Sequence, residues 1–371
     1  MSPFPDFRTV ARINGDALAE NFRLLRTRAI AARKGARLMA VVKANAYGHG
    51  LACTIPPLLA AGCDLFAVAT AEEALELRAL APHAEILVLG YTPPALAPQL
   101  ASAGIAQAVF SLPYALALSK AMVGAGTLAV QLKLDCGMCR LGFLPTDTEG
   151  LLAALRAENL RPVGLFTHFP CADTDKAATR RALGDFLRCR ALLAAMGHPL
   201  FSHAAASAAL LTLPETVLDG ARAGIALYGL PHLPVAGLRP VLSLHAPIVR
   251  ILSVPAGTPA GYGGDFITKR PSRIGTLPVG YGDGLPRALQ GLTVSLHCQK
   301  GSFSIPLVGK ICMDLCMADL TDTPARVGDE VCLFDSAAPV AHRLGTIPYE
   351  VLTALSPRVK RILTHSEKEP V

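Results

Sequence analysis

Apolar runs alternate with helical patterns along the first two-thirds of the chain. Several runs are apolar throughout instead of alternating with polar residues, which is typical of parallel strands buried on both faces. We therefore predict eight parallel strands in this part of the chain. The candidates are Leu38–Ala44, Leu65–Ala69, Glu85–Leu89, Gln107–Ser111, Leu128–Asp135, Val163–Thr167, Leu200–Ala204 and Gly220–Ile225.

Helix signals lie between these runs. Two helices are marked by apolar residues that share one face: Leu18, Phe22 and Leu25 in the first, and Leu183, Phe186 and Leu187 in the second. Gly197 is expected to end the second helix, and Thr70 with Glu73 predicts a capping box after the second strand. Strand–helix units at spacings of roughly 20 to 40 residues favour an α/β fold, a TIM-like (β/α)8 barrel. Spacing alone leaves a doubly wound sheet open.

After about residue 235 the pattern changes to short alternating or β-branched runs separated by Gly and Pro, which indicates a mostly-β domain. The runs are Ser243–Ile251, Ile274–Pro278, Thr293–His297 and Glu330–Phe334. The boundary is placed at Leu230–Pro234. We therefore predict a barrel domain over residues 1–235 and a C-terminal β domain over residues 236–371, with the option that the first residues join the β domain.

Composition supports a folded protein of two domains. Apolar residues make up 51% of the 371 residues, enough for a large core. The formal charge of +7 is spread along the chain without a basic tract, so we expect no nucleic-acid partner. A positive surface is still suited to an anionic ligand such as a phosphate or a carboxylate.

The ten cysteines are interpreted as reduced thiols, because the chain is long and begins without a secretory pattern. One close pair, Cys136 and Cys139, lacks the second pair of a metal site and the setting of a redox motif, so we expect no metal. No apolar run reaches the roughly 18 residues that span a bilayer. We therefore expect a cytoplasmic protein without a membrane partner.

The sharpest chemical feature is the run VKANAYGHG at residues 42–50. It places Lys43 at the end of an otherwise apolar strand, where desolvation lowers the pKa of an amine and makes it a usable nucleophile or base. Such a lysine can react with an aldehyde cofactor. On the residues alone, a strand-end lysine that reaches solvent is an equal alternative.

This run resembles the alanine racemase family, and the resemblance continues to the C-terminus. In that family the lysine of the run holds pyridoxal 5′-phosphate (PLP) and serves as one of two acid/base groups, which implies this role for Lys43. Tyr47 would bind the phosphate of PLP. The fold implied is an N-terminal barrel followed by a β domain.

A second run, KLDCGMCRLGF at residues 133–143, is similar to the family's K-x-D-T-G-M-x-R-L-G. The resemblance implies that Arg140 contacts the phenolic oxygen of PLP and the substrate carboxylate, a role suited to a guanidinium. Lys133 stands where many members carry a carbamylated lysine. An ordinary buried ion pair is an equal alternative for Lys133, and Cys136 replaces the usual threonine.

Three further motifs match the family's PLP site. By resemblance His168, in THF, packs near the pyridine ring, and Ser207 binds the phosphate. In RAGIALYGL, Gly224 and Ile225 would offer backbone N–H groups to the phosphate, and Arg222 would face the pyridine nitrogen. An arginine keeps its proton, so that nitrogen stays unprotonated, which favours racemisation over transamination. Without the resemblance, a histidine in the position of His168 is more often structural, and Ser207 could simply be an N-cap. For Arg222, an ion pair with a neighbouring carboxylate is an equal alternative.

The second base is expected from the C-terminal domain. Tyr262, in GYGG at residues 261–264, matches the family's catalytic tyrosine, although a tyrosine in a Gly-rich turn is otherwise a loop anchor. Tyr281, in VGYGDG, matches a tyrosine that lines the substrate entrance, and Met313, in GKICMD, matches a methionine whose backbone contacts the substrate. In the family these groups come from the partner subunit, which implies a homodimer with shared active sites.

Besides Cys136, and Gly261 in place of a serine before Tyr262, the chain departs from the family pattern at four positions. Ala206 replaces an asparagine before the phosphate-binding serine, Lys310 an arginine, and Leu315 a glutamine. Pro357 replaces a tyrosine that often binds phosphate and narrows the entrance. These changes leave substrate range open more than reaction type.

The leading hypothesis is therefore a PLP-dependent isomerase that interconverts L- and D-alanine and feeds peptidoglycan synthesis. A serine or broad-specificity racemase is the alternative that Pro357 and Ala206 suggest. A barrel-type PLP decarboxylase and a PLP-binding protein without activity are distant alternatives. The second domain and Tyr262 argue against the non-enzyme.

Overall fold

The computed structural model describes residues 8–231 and 235–365 of the chain. Its strands are β1 (Val10–Asn14), β2 (Arg37–Val41), β3 (Leu65–Val68), β4 (Glu85–Val88), β5 (Ile105–Val109), β6 (Leu128–Lys133), β7 (Leu160–Phe166), β8 (Phe201–His203), β9 (Gly220–Ala223), β10 (Leu242–Pro247), β11 (Arg250–Val254), β12 (Pro259–Ala260), β13 (Phe266–Ile267), β14 (Ser272–Leu277), β15 (Thr293–Cys298), β16 (Gly301–Val308), β17 (Cys316–Asp319), β18 (Glu330–Phe334) and β19 (Lys360–Thr364). Its helices are α1 (Gly15–Ala32), α2 (Leu51–Ala60), α3 (Ala71–Leu80), α4 (Ala97–Ser102), α5 (Leu112–Ala121), α6 (Thr148–Leu155), α7 (Lys176–Ala195), α8 (Ser207–Thr212), α9 (Ala337–Leu344) and α10 (Pro348–Thr353). One further helical turn, Lys43–Tyr47, carries the lysine singled out above.

The described residues divide into two compact units. Leu18–Ala46 and Thr54–Arg239 form the barrel unit. The described residues through Ala17, the segment Tyr47–Cys53 and those from Pro240 onward form the β unit. The predicted boundary segment Leu230–Pro234 includes residues 232–234, which lie outside the described residues.

The barrel unit contains the predicted closed barrel of eight parallel strands, β2 to β9. β9 pairs with β2 and closes the ring, with Met39 opposite Arg222. The unbroken apolar runs are buried as expected, for example throughout β3. All eight strand candidates lie in the barrel, with ends that coincide with the prediction or differ from it by up to three residues, and the doubly wound alternative is wrong.

Helix starts follow the local sequence. Thr70 accepts a hydrogen bond from the Glu73 amide at the start of α3, so the predicted N-cap is confirmed. A full capping box also needs a bond from the Thr70 amide to the Glu73 carboxylate. This part of the prediction is wrong, because the carboxylate accepts from the Ala69 amide instead. In α7 Leu183 and Phe186 are buried, whereas Leu187 is 37% exposed and lies outside the core. Gly197 follows the end of α7 with a φ of +88°, as expected for a helix stop.

The β unit contains a nine-stranded sheet in the order β11-β14-β17-β16-β15-β18-β10-β1-β19, and a separate hairpin, β12–β13. β1 comes from the start of the chain and pairs antiparallel with β10 and parallel with β19. The predicted run Ser243–Ile251 is not one strand but parts of β10 and β11, because the apolar pattern continues through the turn at Ile248 and Val249. The run Glu330–Phe334 is confirmed as β18.

A charged cluster joins three strands of this sheet. Both oxygens of Glu330 accept hydrogen bonds from the Arg12 guanidinium, at 2.7 and 2.6 Å. His245 Nδ1 lies 2.9 Å from Glu330 Oε1. Within residues 8–231 and 235–365, no helix has the length and apolar character needed to cross a membrane.

Candidate active site

Lys43 begins a strained turn at the carboxyl end of β2. Ala44, Asn45 and Ala46 have φ values of 52°, 51° and 54° and ψ values of 52°, 53° and 50°, and Tyr47 has a φ of 53°. This is the left-handed helical region, which costs L-residues roughly 1–2 kcal/mol each and is seldom occupied by consecutive residues. The predicted strand Leu38–Ala44 is therefore wrong at its end, since the chain leaves the extended conformation after Val42.

The environment of Lys43 favours the neutral amine. The side chain is half-buried in the barrel unit. Burial lowers the pKa of Lys43, and the positive charges of Arg140 and Arg222 lower it further, while the negative charge of Glu73 opposes them. A neutral amine at the carboxyl end of a barrel strand can act as a nucleophile or a base.

Arg140 lies in a loop after β6 that is folded around the carboxylate of Asp135. Asp135 Oδ1 accepts hydrogen bonds from the amides of Gly137, Met138 and Cys139, at 3.0, 2.7 and 3.0 Å. Oδ2 accepts one from the Arg140 amide, at 2.7 Å. Asp135 is buried and therefore sets the path of the loop that presents the exposed Arg140 side chain.

Lys133 and His168 lie in the same cluster of cationic groups. Burial, followed by the charges of Arg140 and Arg222, lowers the pKa of the buried Lys133 to about 8. Burial and then Arg222 lower the pKa of His168 to about 3, so this imidazole is neutral near pH 7. Lys43 also acts on both groups, which means that all five residues share one electrostatic environment. The guanidinium charges of Arg140 and Arg222 suit this cluster to an anionic ligand.

Arg222, in β9, is held by a chain of buried polar groups. Its Nη1 lies 2.5 Å from His203 Nδ1, and its Nη2 donates to the carbonyl of Thr167 at 2.7 Å. Because an arginine only donates, His203 Nδ1 accepts, and its Nε2–H donates to Gln131 Oε1 at 2.7 Å. Burial and the nearby Arg222 keep the pKa of His203 well below its ordinary value. The histidine is therefore a neutral support for the Arg222 guanidinium.

Ser207 and Gly224 form a small polar turn after β8 and β9. Ser207 Oγ accepts hydrogen bonds from the amides of Gly224, at 3.0 Å, and Ala226, at 3.3 Å. Ile225, which lies between Gly224 and Ala226 in sequence, begins a short 3-10 turn, Ile225–Tyr228. The structure thus brings together Ser207, Gly224 and Ile225, which the sequence proposes as phosphate ligands.

Tyr47 lies in the β unit, although it follows Lys43 by four residues. Its ring centroid is 5.9 Å from that of Tyr349. Burial, and to a smaller extent Tyr349, raises the pKa of Tyr47, so the phenol keeps its proton. Its role as a phosphate ligand stays a prediction.

Three predicted site residues are exposed in the β unit. Tyr262, Tyr281 and Met313 are 70%, 46% and 54% exposed. The amides of Tyr281 and Gly282 donate to the carbonyls of Cys312 and Met313, which joins two of these loops. Three large exposed side chains are suited to contact with a ligand or another subunit.

The Tyr262 loop is shaped by the glycine before it. Gly261, where the family has serine, has a φ of +82°, and a Cβ there would lie 2.9 Å from Met317 Cε and 3.3 Å from the Lys310 amide nitrogen. The loop therefore packs closely against the segment that leads to Met313. Lys310 Nζ also forms an ion pair with Asp265 at 3.0 Å. Asp265 follows Tyr262 by three residues, so Lys310 contacts the chain on both sides of this tyrosine.

Two departures from the family pattern change the donor set. Ala206 is the N-cap of α8 and makes no side-chain capping bond. Pro357 is exposed and carries no phenol. Both replacements remove a polar side chain without removing the cationic cluster.

The barrel-unit residues fit PLP by their chemistry. A lysine with a lowered pKa matches an aldehyde, a buried guanidinium matches a pyridine nitrogen, and the cationic groups match a phosphate and a carboxylate. They lie at or just beyond the carboxyl ends of β2, β6, β7, β8 and β9, the face where barrel enzymes place their active sites. The fold and this site together define the class of PLP-dependent barrel enzymes.

Comparison with known proteins identifies the family. The model "Alanine racemase, N-terminal domain" matches residues 13–232, and "Alanine racemase, C-terminal domain" matches residues 241–363. The alanine racemase of Desulfosudis oleivorans is 38% identical, with 99% of each chain covered. The structure of the Bacillus anthracis alanine racemase with bound L-Ala-P superposes with a TM-score of 0.89 at 33% identity, covering 98% of this chain and 97% of that one. The Clostridium difficile alanine racemase gives 0.89 at 32% identity with the same coverage.

The chain belongs to the alanine racemase family, whose members are PLP-dependent isomerases. The matches cover both units, so the decarboxylase and non-enzyme alternatives lose their support.

The sequence did not indicate the supporting roles of three residues in this site. They are Glu73, Asp135 and His203, of which His203 is the hydrogen-bond partner of Arg222. Asp135 was readable in part, because an aspartate followed by glycine two residues later is typical of a turn in which the carboxylate accepts backbone amides. His203 stands out as a polar residue in a buried strand. Glu73 gave no signal beyond its capping position.

Proposed function

We propose that this protein interconverts L-alanine and D-alanine with PLP as cofactor, and that it provides D-alanine for peptidoglycan. Lys43 is one acid/base group and Tyr262 the other. The observation that carries the proposal is the half-buried Lys43 with lowered pKa among the cationic groups of the barrel unit, in a chain of this family.

Each barrel residue has a task in this reaction. PLP, when bound, supplies the electron withdrawal that acidifies the Cα–H of the amino acid. Lys43 Nζ takes or returns the proton at Cα on one side. Arg140 binds the substrate carboxylate through its guanidinium, and Ser207, Gly224 and Ile225 bind the phosphate, with Tyr47.

Arg222 determines which reaction is favoured. Burial lowers its pKa to about 10, still far above neutrality, so it would donate a hydrogen bond to the pyridine nitrogen without giving up the proton. Neutral His203 and the carbonyl of Thr167 hold the guanidinium in place. This arrangement limits electron withdrawal and favours return of the proton to Cα over transamination.

We assign Tyr262 to the partner subunit's active site, in a homodimer with two shared sites. Its 70% exposure supports this assignment, as do the neighbouring exposed Tyr281 and Met313, which we propose as substrate contacts. In this scheme residues 236–371 supply the second base to the barrel of residues 1–235. His168 would pack near the pyridine ring. For Lys133, carbamylation is the alternative to an ordinary ion pair.

The missing phenol at Pro357 supports a second candidate, a racemase of broader range that includes serine. In the family a tyrosine at this position narrows the entrance, whereas Pro357, which is exposed, has no phenol that could do so. We also propose that the enzyme works in the cytosol, because all ten cysteines lie in the described residues and are unpaired.

The test is hydrogen exchange at Cα in D₂O with L-Ala, L-Ser and L-Lys. We expect the PLP-loaded wild type to absorb in the visible range and to exchange alanine fastest, with Lys43→Ala losing both properties. Tyr262→Phe should keep the absorbance and lose racemisation from the L side. Mixed dimers of Lys43→Ala and Tyr262→Phe should regain up to one working site. A colourless wild type would refute the cofactor, and a failure of complementation would refute shared sites.

A further inference from the structure

The turn that carries Lys43 is held in a conformation that its own residues disfavour. Four consecutive non-glycine residues, Ala44 to Tyr47, have φ between +51° and +54°. Strain of this kind persists only where the surroundings fix the backbone, and it is concentrated at functional sites. One bond within the turn, from the Ala46 amide to the Val42 carbonyl at 2.8 Å, closes it but does not anchor it to the barrel.

Glu73 supplies an anchor. Its Oε1 accepts a hydrogen bond from the Ala44 amide at 2.5 Å, directly after Lys43. Its Oε2 accepts one from the Ala69 amide at 2.8 Å, directly after β3. One carboxylate therefore joins the chain just beyond two neighbouring barrel strands, β2 and β3, through two charge-assisted bonds.

The Glu73 carboxylate is itself held by a rigid element. Glu73 is in the first turn of α3, which Thr70 caps by accepting from the Glu73 amide at 3.3 Å. Helix α3 follows β3 directly, so its first turn cannot move far without moving that strand. The capping sequence thus fixes the side chain that holds the Lys43 turn.

We propose that Glu73 is a positioning residue for Lys43, holding the left-handed turn so that the lysine amine meets Cα of the substrate. The proposal rests on the proposed racemase function only for its catalytic consequence. The structural part, anchoring of the Ala44 amide, is independent of any ligand.

The negative charge of Glu73 adds a second effect. Burial lowers the pKa of Lys43, and so do the charges of Arg140 and Arg222. The charge of Glu73 acts in the opposite direction and raises this pKa. Removing that charge lowers the pKa of Lys43 further, so the acid limb of the pH–rate profile moves to lower pH. A purely structural residue would leave this limb in place.

The experiment compares Glu73→Gln and Glu73→Asp with the control Glu72→Gln in the PLP-loaded enzyme. Glu72 is exposed in the same first turn of α3, and its pKa is lowered by its own amide and Thr70, not by the Lys43 turn. The control thus removes the same charge from the same helix. Circular dichroism checks that each variant is folded.

Amide hydrogen exchange is the readout that needs no activity. We expect Glu73→Gln to speed exchange in the peptide covering residues 42–50 by roughly 10- to 100-fold, the equivalent of one charge-assisted bond. Glu72→Gln should match the wild type. Equal exchange in Glu73→Gln and Glu72→Gln would overturn the proposal.

Kinetics give the functional readout. We expect Glu73→Gln to lower kcat by roughly 100-fold, with KM nearly unchanged, because Arg140 still binds the carboxylate while the amine is misplaced. Glu73→Asp keeps the charge and should retain the wild-type pH profile with a smaller loss of kcat. A Glu73→Gln enzyme with wild-type kcat would overturn the positioning role. A wild type without racemase activity would instead refute the proposed function, and the exchange measurement would still decide on Glu73.

Discussion

Replacing Asp135 by Asn should loosen the loop that presents Arg140. The carboxylate accepts four amide hydrogen bonds, three on Oδ1 and one on Oδ2. Asn keeps one oxygen and turns an NH₂ group toward the remaining donors. In its better orientation it retains the three Oδ1 bonds in weaker, neutral form and loses the bond from the Arg140 amide.

The cost follows from the strength of these bonds. A hydrogen bond to a charged group contributes about 1.5–3 kcal/mol and a neutral one about 0.5–1.5 kcal/mol. Gly137 and Cys139 are exposed, so water can reach part of the opened loop. Because the four bonds share one carboxylate, their strengths do not add, and we expect a smaller loss than their sum, about 2–4 kcal/mol in the free energy of unfolding. This is a large share of the roughly 5–15 kcal/mol typical of proteins.

Urea denaturation of Asp135→Asn and of the control Asp147→Asn measures this effect. Asp147 caps α6 and accepts one bond, from the Gly150 amide at 3.0 Å. Asn caps helices as well as Asp, so the control should change stability by less than about 0.5 kcal/mol. The KM for alanine should rise in Asp135→Asn alone, since Arg140 loses its fixed position. Equal stabilities of the two variants would refute the reasoning.

The stability difference between wild type and Asp135→Asn depends on pH. Burial alone would raise the pKa of Asp135, but the four amide bonds outweigh it and lower the pKa. A lowered pKa in the folded state means that the stabilisation is present above about pH 4, the unfolded value, and is lost as the pH falls through the folded value. The difference between wild type and Asp135→Asn should therefore shrink in acid. A difference that grows on acidification would contradict this account.

Two further predictions concern the β unit. Burial would raise the pKa of Glu330, but His245 and Arg12 outweigh it and lower this pKa. Glu330→Gln should therefore lower the free energy of unfolding by about 1 kcal/mol at pH 7 and leave it unchanged well below pH 4. Urea titrations at both pH values measure the two differences. At Gly48 (φ +79°) a Cβ would lie 2.1 Å from the Leu352 carbonyl oxygen, whereas at Gly35 (φ +81°) nothing lies within 4 Å. Gly48→Ala should therefore lower the melting temperature by several degrees more than Gly35→Ala, whose cost is only the roughly 1 kcal/mol of positive φ. Equal shifts would show that the close approach is relieved at no cost.

The sequence predicts those parts of the fold that depend on local patterns. Unbroken apolar runs such as Leu65–Ala69 indicate buried parallel strands, and Thr70 indicates the start of α3. Where a pattern continues through a turn, it misleads: Ile248 and Val249 are apolar, so β10 and β11 read as one strand.

The candidate site was predictable as far as side-chain identities mark it. Lys43, Arg140 and Arg222 stand out as charged residues in or beside apolar strands. The left-handed turn after Lys43 could not be predicted, because its alanine and asparagine residues give no sequence signal for this conformation. The partner of Glu73 is a backbone amide 29 positions away, and an amide has no sequence signature.

The place of β1 in the sheet has a consequence for synthesis in the cell. β1 lies between β10 and β19, with Ile13 opposite both Leu242 and Leu363. At a translation rate of about 5–20 residues per second, β1 leaves the ribosome on the order of ten to fifty seconds before β10 exists. During that interval every strand of the barrel has been made, while β1 still lacks both of its partners. Until β10 and β19 have been made, the backbone N–H and C=O groups along both edges of β1 therefore have no strand to pair with.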